Sequence, residues 1–165
     1  QMCIRDSSYT NESILNKDVE IISCFIEDKN HERVTECKIK EVYTLSVVFK
    51  SKREIDQCIV GFVMETVKGL WIINSNSLIC GEKGNFRIKE NSLNRVDFQF
   101  IMPALMKGEY IIGAAVSEGN REEYQVLTWL YNIMAVNIIN SGNNSGVIDV
   151  DTSIEIFSRE EGKGE

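Results

Sequence analysis

The stretch EVYTLSVVF, residues 41–49, decides the fold. Tyr43, Leu45, Val47 and Phe49 recur at every second position, with Thr44 and Ser46 between them. Successive side chains of an extended chain point to opposite faces, so this period places the four apolar groups on one side of a half-buried strand. A helix would scatter them around its circumference. The same rule reads RVDFQF, residues 95–100, as a second strand, in which Val96, Phe98 and Phe100 alternate with Asp97 and Gln99. In EYIIGAAV, residues 109–116, both sets are apolar or small: Tyr110, Ile112, Ala114 and Val116 against Ile111, Gly113 and Ala115. That pattern predicts a central strand covered on both faces.

Outward from these segments, further strands are expected at Val19 to Glu27, Gln57 to Thr66, Leu70 to Asn74, Tyr131 to Ile139 and Val147 to Phe157. Turn chemistry separates them at Asp28-Lys29-Asn30, Lys68-Gly69, Gly81-Glu82-Lys83-Gly84, Lys107-Gly108 and Ser141-Gly142-Asn143-Asn144. Punctuation every ~8–12 residues is the spacing of an antiparallel β-sandwich. Against it, Tyr124, Leu127, Tyr131 and Met134 share a helical face, and one short helix is expected near Glu122 to Leu127. The domain is expected over residues 18–157, between a disordered or non-native leader at 1–17 and a charged tail at 158–165. QMCIRDS at the start reads as a truncation or assembly scar, and the chain as a fragment of something larger.

A chain of 165 residues with 43% hydrophobic and 26% charged residues has the composition of an ordinary globular domain. It buries enough surface to fold without a cofactor or structural metal. The net charge of −7 and the absence of a dense Lys/Arg block argue against a nucleic-acid partner. Apolar runs fall well short of the ~20 residues of a membrane helix, so no direct membrane insertion is expected. Cys3, Cys24, Cys37, Cys58 and Cys80 are widely spaced without a C-x-x-C pair, as in scattered thiols of the cytoplasm.

Catalytic patterns are sparse. His31, the sole histidine, sits between Asn30 and Glu32 in a polar turn, without the companions that a triad or zinc site needs. Gly81 to Gly84 does not match a phosphate loop, and Asp149 and Asp151 lack calcium-loop spacing. The cysteines have no basic neighbour to make a thiolate nucleophile. With 25 acidic residues, nothing singles out a pair for glycoside hydrolysis. Aromatic groups set among amides point to binding instead. Sugars present apolar C–H faces ringed by hydroxyls, which suits a flat ring beside hydrogen-bonding side chains. Trp71 with Asn74 and Asn76, and Tyr124, Trp129 and Tyr131 with Gln125 and Asn132, supply that mixture. The competing reading makes these rings core groups of a structural interaction module with no glycan ligand.

Read in order, VEIISCFIED (19–28), EVYTLSVVF (41–49), VGFVMETVKGLWIINSNS (60–77), FQFIMPALMKGEYIIGAAVSEG (98–119), EEYQVLTWLYNIMAVNI (122–138) and GVIDVDTSIEI (146–156) resemble one known domain. It is the polysaccharide-binding C-terminal domain of Wzt-type ATPase subunits of O-antigen ABC transporters. Ile133-Met134 departs from the pattern, where an aromatic residue is usual. The resemblance implies an immunoglobulin-like or jelly-roll sandwich that holds the non-reducing end of an O-antigen-type polysaccharide without catalysis. It further implies a homodimer exchanging its C-terminal strand, an ATPase domain fused or upstream, and a transporter membrane subunit as partner. The place of action would be the cytoplasm, at the inner face of the bacterial inner membrane.

Overall fold

The computed structural model describes residues 13–80, 86–140, 146–148, 150 and 152–158. Ten strands follow one another: β1 (Val19–Glu27), β2 (Arg33–Val34), β3 (Glu36–Cys37), β4 (Val42–Ser51), β5 (Ile55–Thr66), β6 (Trp71–Asn76), β7 (Phe86–Ile88), β8 (Ser92–Ile101), β9 (Gly108–Gly119) and β10 (Tyr124–Ile138). A single helical turn, α1 (Ser77–Cys80), follows β6. Four strands form one sheet in the order β2-β1-β4-β8; the other runs β3-β10-β9-β5-β6, with β7 also on β5. All pairings are antiparallel except that of β3 with β10. The fold is the all-β sandwich that the alternating segments predict.

Period two decides which groups meet between the sheets. Tyr43, Leu45, Val47 and Phe49 of β4 are all buried, as the opening pattern requires. Opposite them β5 turns Cys58, Val60, Phe62 and Met64 inward, and β9 turns Ile112, Ala114 and Val116. The Phe62 ring meets Phe98 edge-on at 5.1 Å and stacks on Phe100 at 5.8 Å. Such aromatic pairs add about 0.5–1.5 kcal/mol each beyond the area they bury. Burial also holds the thiols neutral, raising Cys24 and Cys58 to about 12 and Cys37 to about 11, with smaller contributions from Glu118 at Cys58 and Glu41 at Cys37.

Two expectations are corrected. No helix forms at Glu122 to Leu127: Glu122 and Glu123 lie in a bend, and β10 starts at Tyr124. The apparent helical spacing arises from two irregularities in β10, between Val126 and Thr128 and between Leu130 and Met134, which interrupt its two-residue period. Asn132, with φ of 57°, lies within the second. Nor do the described residues of the segment expected as a strand from Val147 to Phe157 form one, Asp149 and Asp151 lying outside the described residues. Met106 N donates to Val147 O and Ile148 bridges Leu105, but Ile154, Ile156 and Phe157 are exposed and pair with nothing. The turns expected at 81–84 and 141–144 fall outside the described residues. Within the leader, Ile14 joins the second sheet by reciprocal backbone hydrogen bonds with Trp129, of 2.8 and 2.9 Å. Asn16 Oδ1 then accepts from the amides of Asp18 and Val19 at the start of β1.

Candidate ligand-binding groove

Residues paired across antiparallel strands point to the same side of a sheet, so the register gives the outer face of the second sheet row by row. One row runs Trp129, Ala115, Gly61, Asn76 across β10, β9, β5 and β6. The next toward the start of β9 holds Gly113, Val63 and Asn74, and beyond it stand Ile111, Glu65 and Trp71. In the other direction follow Val126, Ser117 and Ile59. At the centre the two middle strands carry the small groups Gly61, Gly113 and Ala115, while Trp129 and Trp71 stand on the flanking strands. The result is a trough of about 710 Å³ with Gly61, Gly113 and Ala115 on its floor.

The glycines permit close approach. A Cβ on Gly61 would lie 3.1 Å from both Ser75 O and Asn76 Cβ. One on Gly113 would lie 3.0 Å from Leu130 O and 3.4 Å from Trp129 Nε1, so the indole lies against the sheet where a side chain would otherwise stand.

Three of the expected aromatic groups come together. Trp129 and Tyr131 stack at 4.9 Å with 15° between their planes, and Trp71 reaches Trp129 from β6 at 5.7 Å. Trp71 is 45% exposed, so it is no core residue. Trp129 Nε1 is buried without a hydrogen-bond partner, an arrangement that costs about 1–3 kcal/mol. Burial, then the nearby Glu65 carboxylate, pushes the Tyr131 phenol above its ordinary range. Glu65 itself is only 3% exposed.

The other candidates divide. Asn74 lines the trough and is exposed. Asn76 lines it too, but its Oδ1 accepts from Leu78 N and Ile79 N and so starts α1, leaving the Nδ2 amide to face a ligand. Tyr124, 61% exposed, forms part of the wall at the opposite end from Trp71. Gln125 is not brought in: it pairs with Glu118, whose row faces the other side of the sheet. The sequence reading passed over the floor residues, Ser117, Leu78, Ile79 and Arg121. Gly61 and Gly113, each inside an apolar strand, were the available signal.

Among the described residues, the trough lining contains no carboxylate, histidine or thiol, and no cluster of three or more His, Cys, Asp or Glu could hold a metal. His31 projects into solvent, with φ of 62° and 87% of its side chain exposed, 3.9 Å from Glu27. No helix among the described residues is long and apolar enough to cross a membrane.

Fold and groove together define an all-β sandwich domain with an aromatic trough on the outer face of one sheet. The chain belongs to the Wzt C-terminal domain family, whose profile matches residues 11–150. It is similar to the crystal structure of the C-terminal domain of wzt, with a TM-score of 0.77 at 19% identity, covering 90% of this chain and 91% of that one. Weaker likenesses are to a Niemann-Pick type C2 protein from Japanese carpenter ant and to the CARDB domain of a Pyrococcus furiosus protein. The first has a TM-score of 0.47 at 8% identity, covering 77% of this chain and 97% of that one. The second has 0.43 at 11%, covering 74% and 96%. No curated protein matches the chain.

Proposed function

We propose that the domain binds a glycan in the trough and does so without catalysis, as the recognition part of an O-antigen ABC transporter. The contiguous platform of Trp71, Trp129 and Tyr131 beside the small-residue floor carries the reading. Sugar rings would lay their C–H faces on the indoles, and Asn74 Nδ2 and Asn76 Nδ2 would donate to hydroxyls. The buried, unpartnered Nε1 of Trp129 favours this over a structural module, since a ring kept only for packing would satisfy its donor. A glycosidase needs a pair of carboxylates about the scissile bond, and the lining described supplies none.

Family membership supports the transporter setting. In this reading the ligand is the non-reducing end of an O-antigen-type polysaccharide. The chain works in the cytoplasm at the inner membrane, beside an ATPase domain and the membrane subunit of the transporter. The exposed apolar side chains Ile154, Ile156 and Phe157 support a homodimer in which the segment after Ile148 pairs with a second copy. Titration with O-antigen-type polysaccharides, read by tryptophan fluorescence, tests the central claim. Trp129→Ala should weaken binding at least about fivefold, an aromatic stacking contact being worth roughly 1–3 kcal/mol. Gln125→Ala should leave it unchanged. Equal losses in both variants, or no binding by the folded domain, would refute the assignment.

A further inference from the structure

The trough is electrically asymmetric along its length. Eight residues of β9 separate Ile111 from Gly119, about 26 Å of extended chain. At the Ile111 end the Glu65 carboxylate is buried in the row that also holds Trp71. At the Gly119 end stands Arg121, the one charged side chain among the described residues that line the trough.

Arg121 also differs from the other described arginines. Arg53 is paired with Glu118, Arg87 with Glu54 and Asp56, and Arg95 with Asp97 and Glu27. Arg33 lies over the Phe25 ring at 3.8 Å. Among the described residues, Arg121 has no ion-pairing carboxylate, and its guanidinium donates from Nη2 to Leu78 O at 3.1 Å. That bond spans from the β9–β10 turn to α1, across the end of the trough.

The turn that presents it is tightly specified. Asn120 Oδ1 accepts from Glu122 N and Glu123 N, and Asn120 N donates to Glu123 O. Gly119 holds φ of 131°, where a Cβ would collide with Glu123 O. On the other side, Asn76 fixes α1 and hence the carbonyl that Arg121 holds. The guanidinium is therefore placed by both walls, while most of its five N–H donors remain available in a fork that matches phosphate or carboxylate oxygens.

We infer that Arg121 reads an anionic substituent on the ligand, a phosphate or a carboxylate, and so fixes its direction: charged group at the Tyr124 and α1 end, uncharged ring on Trp71, Trp129 and Tyr131. The inference rests on the glycan reading above and adds to it the ligand's charge and polarity.

The test uses the whole chain and three probes: a neutral trisaccharide, the same trisaccharide phosphorylated on its terminal sugar, and one ending in a uronic acid. Affinity comes from calorimetry, and position from the 15N–1H signals of Trp129 Nε1–H and Arg121 Nε–H. At least one charged probe should bind about tenfold more tightly than the neutral one, a preference that falls with added salt and moves the Arg121 signal. Arg121→Gln should abolish the preference, with the neutral probe measured on the same variant as its internal reference; Arg121→Lys, retaining charge without the fork, should keep part of it. The tighter of the two charged probes identifies the group. Equal binding of neutral and charged probes, or a preference that survives Arg121→Gln, would overturn the inference and leave the glycan reading standing. If no probe binds or moves the Trp129 signal, both fall.

Discussion

Gly113→Ala isolates the geometric requirement on which the platform stands. The backbone of Gly113 is not in the left-handed region, so no conformational strain opposes alanine, which should gain about 0.5–1 kcal/mol by reducing the freedom of the unfolded chain. Space opposes it. The new Cβ would lie 3.0 Å from Leu130 O and 3.2 Å from Val63 Cγ1. Leu130 O belongs to the backbone of β10, paired there with Ala114, and cannot retreat without disturbing that ladder. Val63 is buried, with little room to turn. Overpacking of this kind costs about 1–3 kcal/mol, so the crowding outweighs the entropic gain and the net loss should be near 1 kcal/mol. For a chain of this length that lowers Tm by roughly 2–4 °C.

The same methyl lies 3.4 Å from Trp129 Nε1, at the edge of ordinary contact, and any yielding by Leu130 lifts the indole from the floor. Urea denaturation followed by circular dichroism measures the first effect, and the Trp129 Nε1–H signal together with glycan titration measures the second. Gly61→Ala provides the comparison, since its Cβ would crowd Ser75 O without touching the indole. It should lose stability and keep the Trp129 environment. A Gly113→Ala variant as stable as the parent, with an unmoved Trp129 signal, would refute the claim that the floor must be glycine.

Two further outcomes follow from the titrating groups. Arg53, hydrogen-bonded to Glu118 at 2.6 and 3.2 Å, holds that carboxyl below its ordinary value of 4.5. The stabilisation is thus present above pH 4.5 and lost as pH falls through the lower folded value; Glu118→Gln should flatten this acid limb in urea titrations, whereas an unchanged limb would assign it to other carboxyls. Cys24, Cys37 and Cys58 have the opposite sense, raised by burial from 9.0 to about 12, 11 and 12. Stability should decline above pH 9, where only the unfolded thiols ionise, and mass-mapped alkylation at pH 8 should modify these three far more slowly in the folded than in the urea-unfolded chain. Rapid labelling of Cys58 in the native domain would contradict its burial.

Strands with an uninterrupted two-residue period were legible at once, because alternation in the sequence is alternation in space. β4 and β8 are the cases in point. β10 was not, for a physical reason: its irregularities advance the chain without advancing the face, and the resulting spacing of Tyr124, Leu127, Tyr131 and Met134 imitates a helix. The site was legible in part. Large aromatic residues advertise themselves, so Trp71, Trp129 and Tyr131 could be named, yet their meeting depends on the register of β6 and β10 across two intervening strands. Gln125 could not be excluded from the sequence, since a one-residue step decides which side of a sheet a group faces. Arg121 was invisible for a similar reason. Its significance lies in its place at the end of the trough, which is a property of the fold.

Preorganisation gives the platform its value. Rings on a free sheet edge would have to be ordered on binding, at about 0.5–1.5 kcal/mol for each immobilised side chain. β10 is not left free at the position that matters. The Ile14 backbone brackets Trp129 with two hydrogen bonds, Thr128 Oγ1 donates to Ile14 O, and Ser13 Oγ accepts from Tyr131 N. Further along, β3 covers Asn137 and Ile138. The irregular stretch around Asn132 is therefore clamped on both sides, and the aromatic stack is held by backbone pairing as well as by ring contacts. A segment set apart from the domain by its polar composition thus anchors the strand that carries the stack.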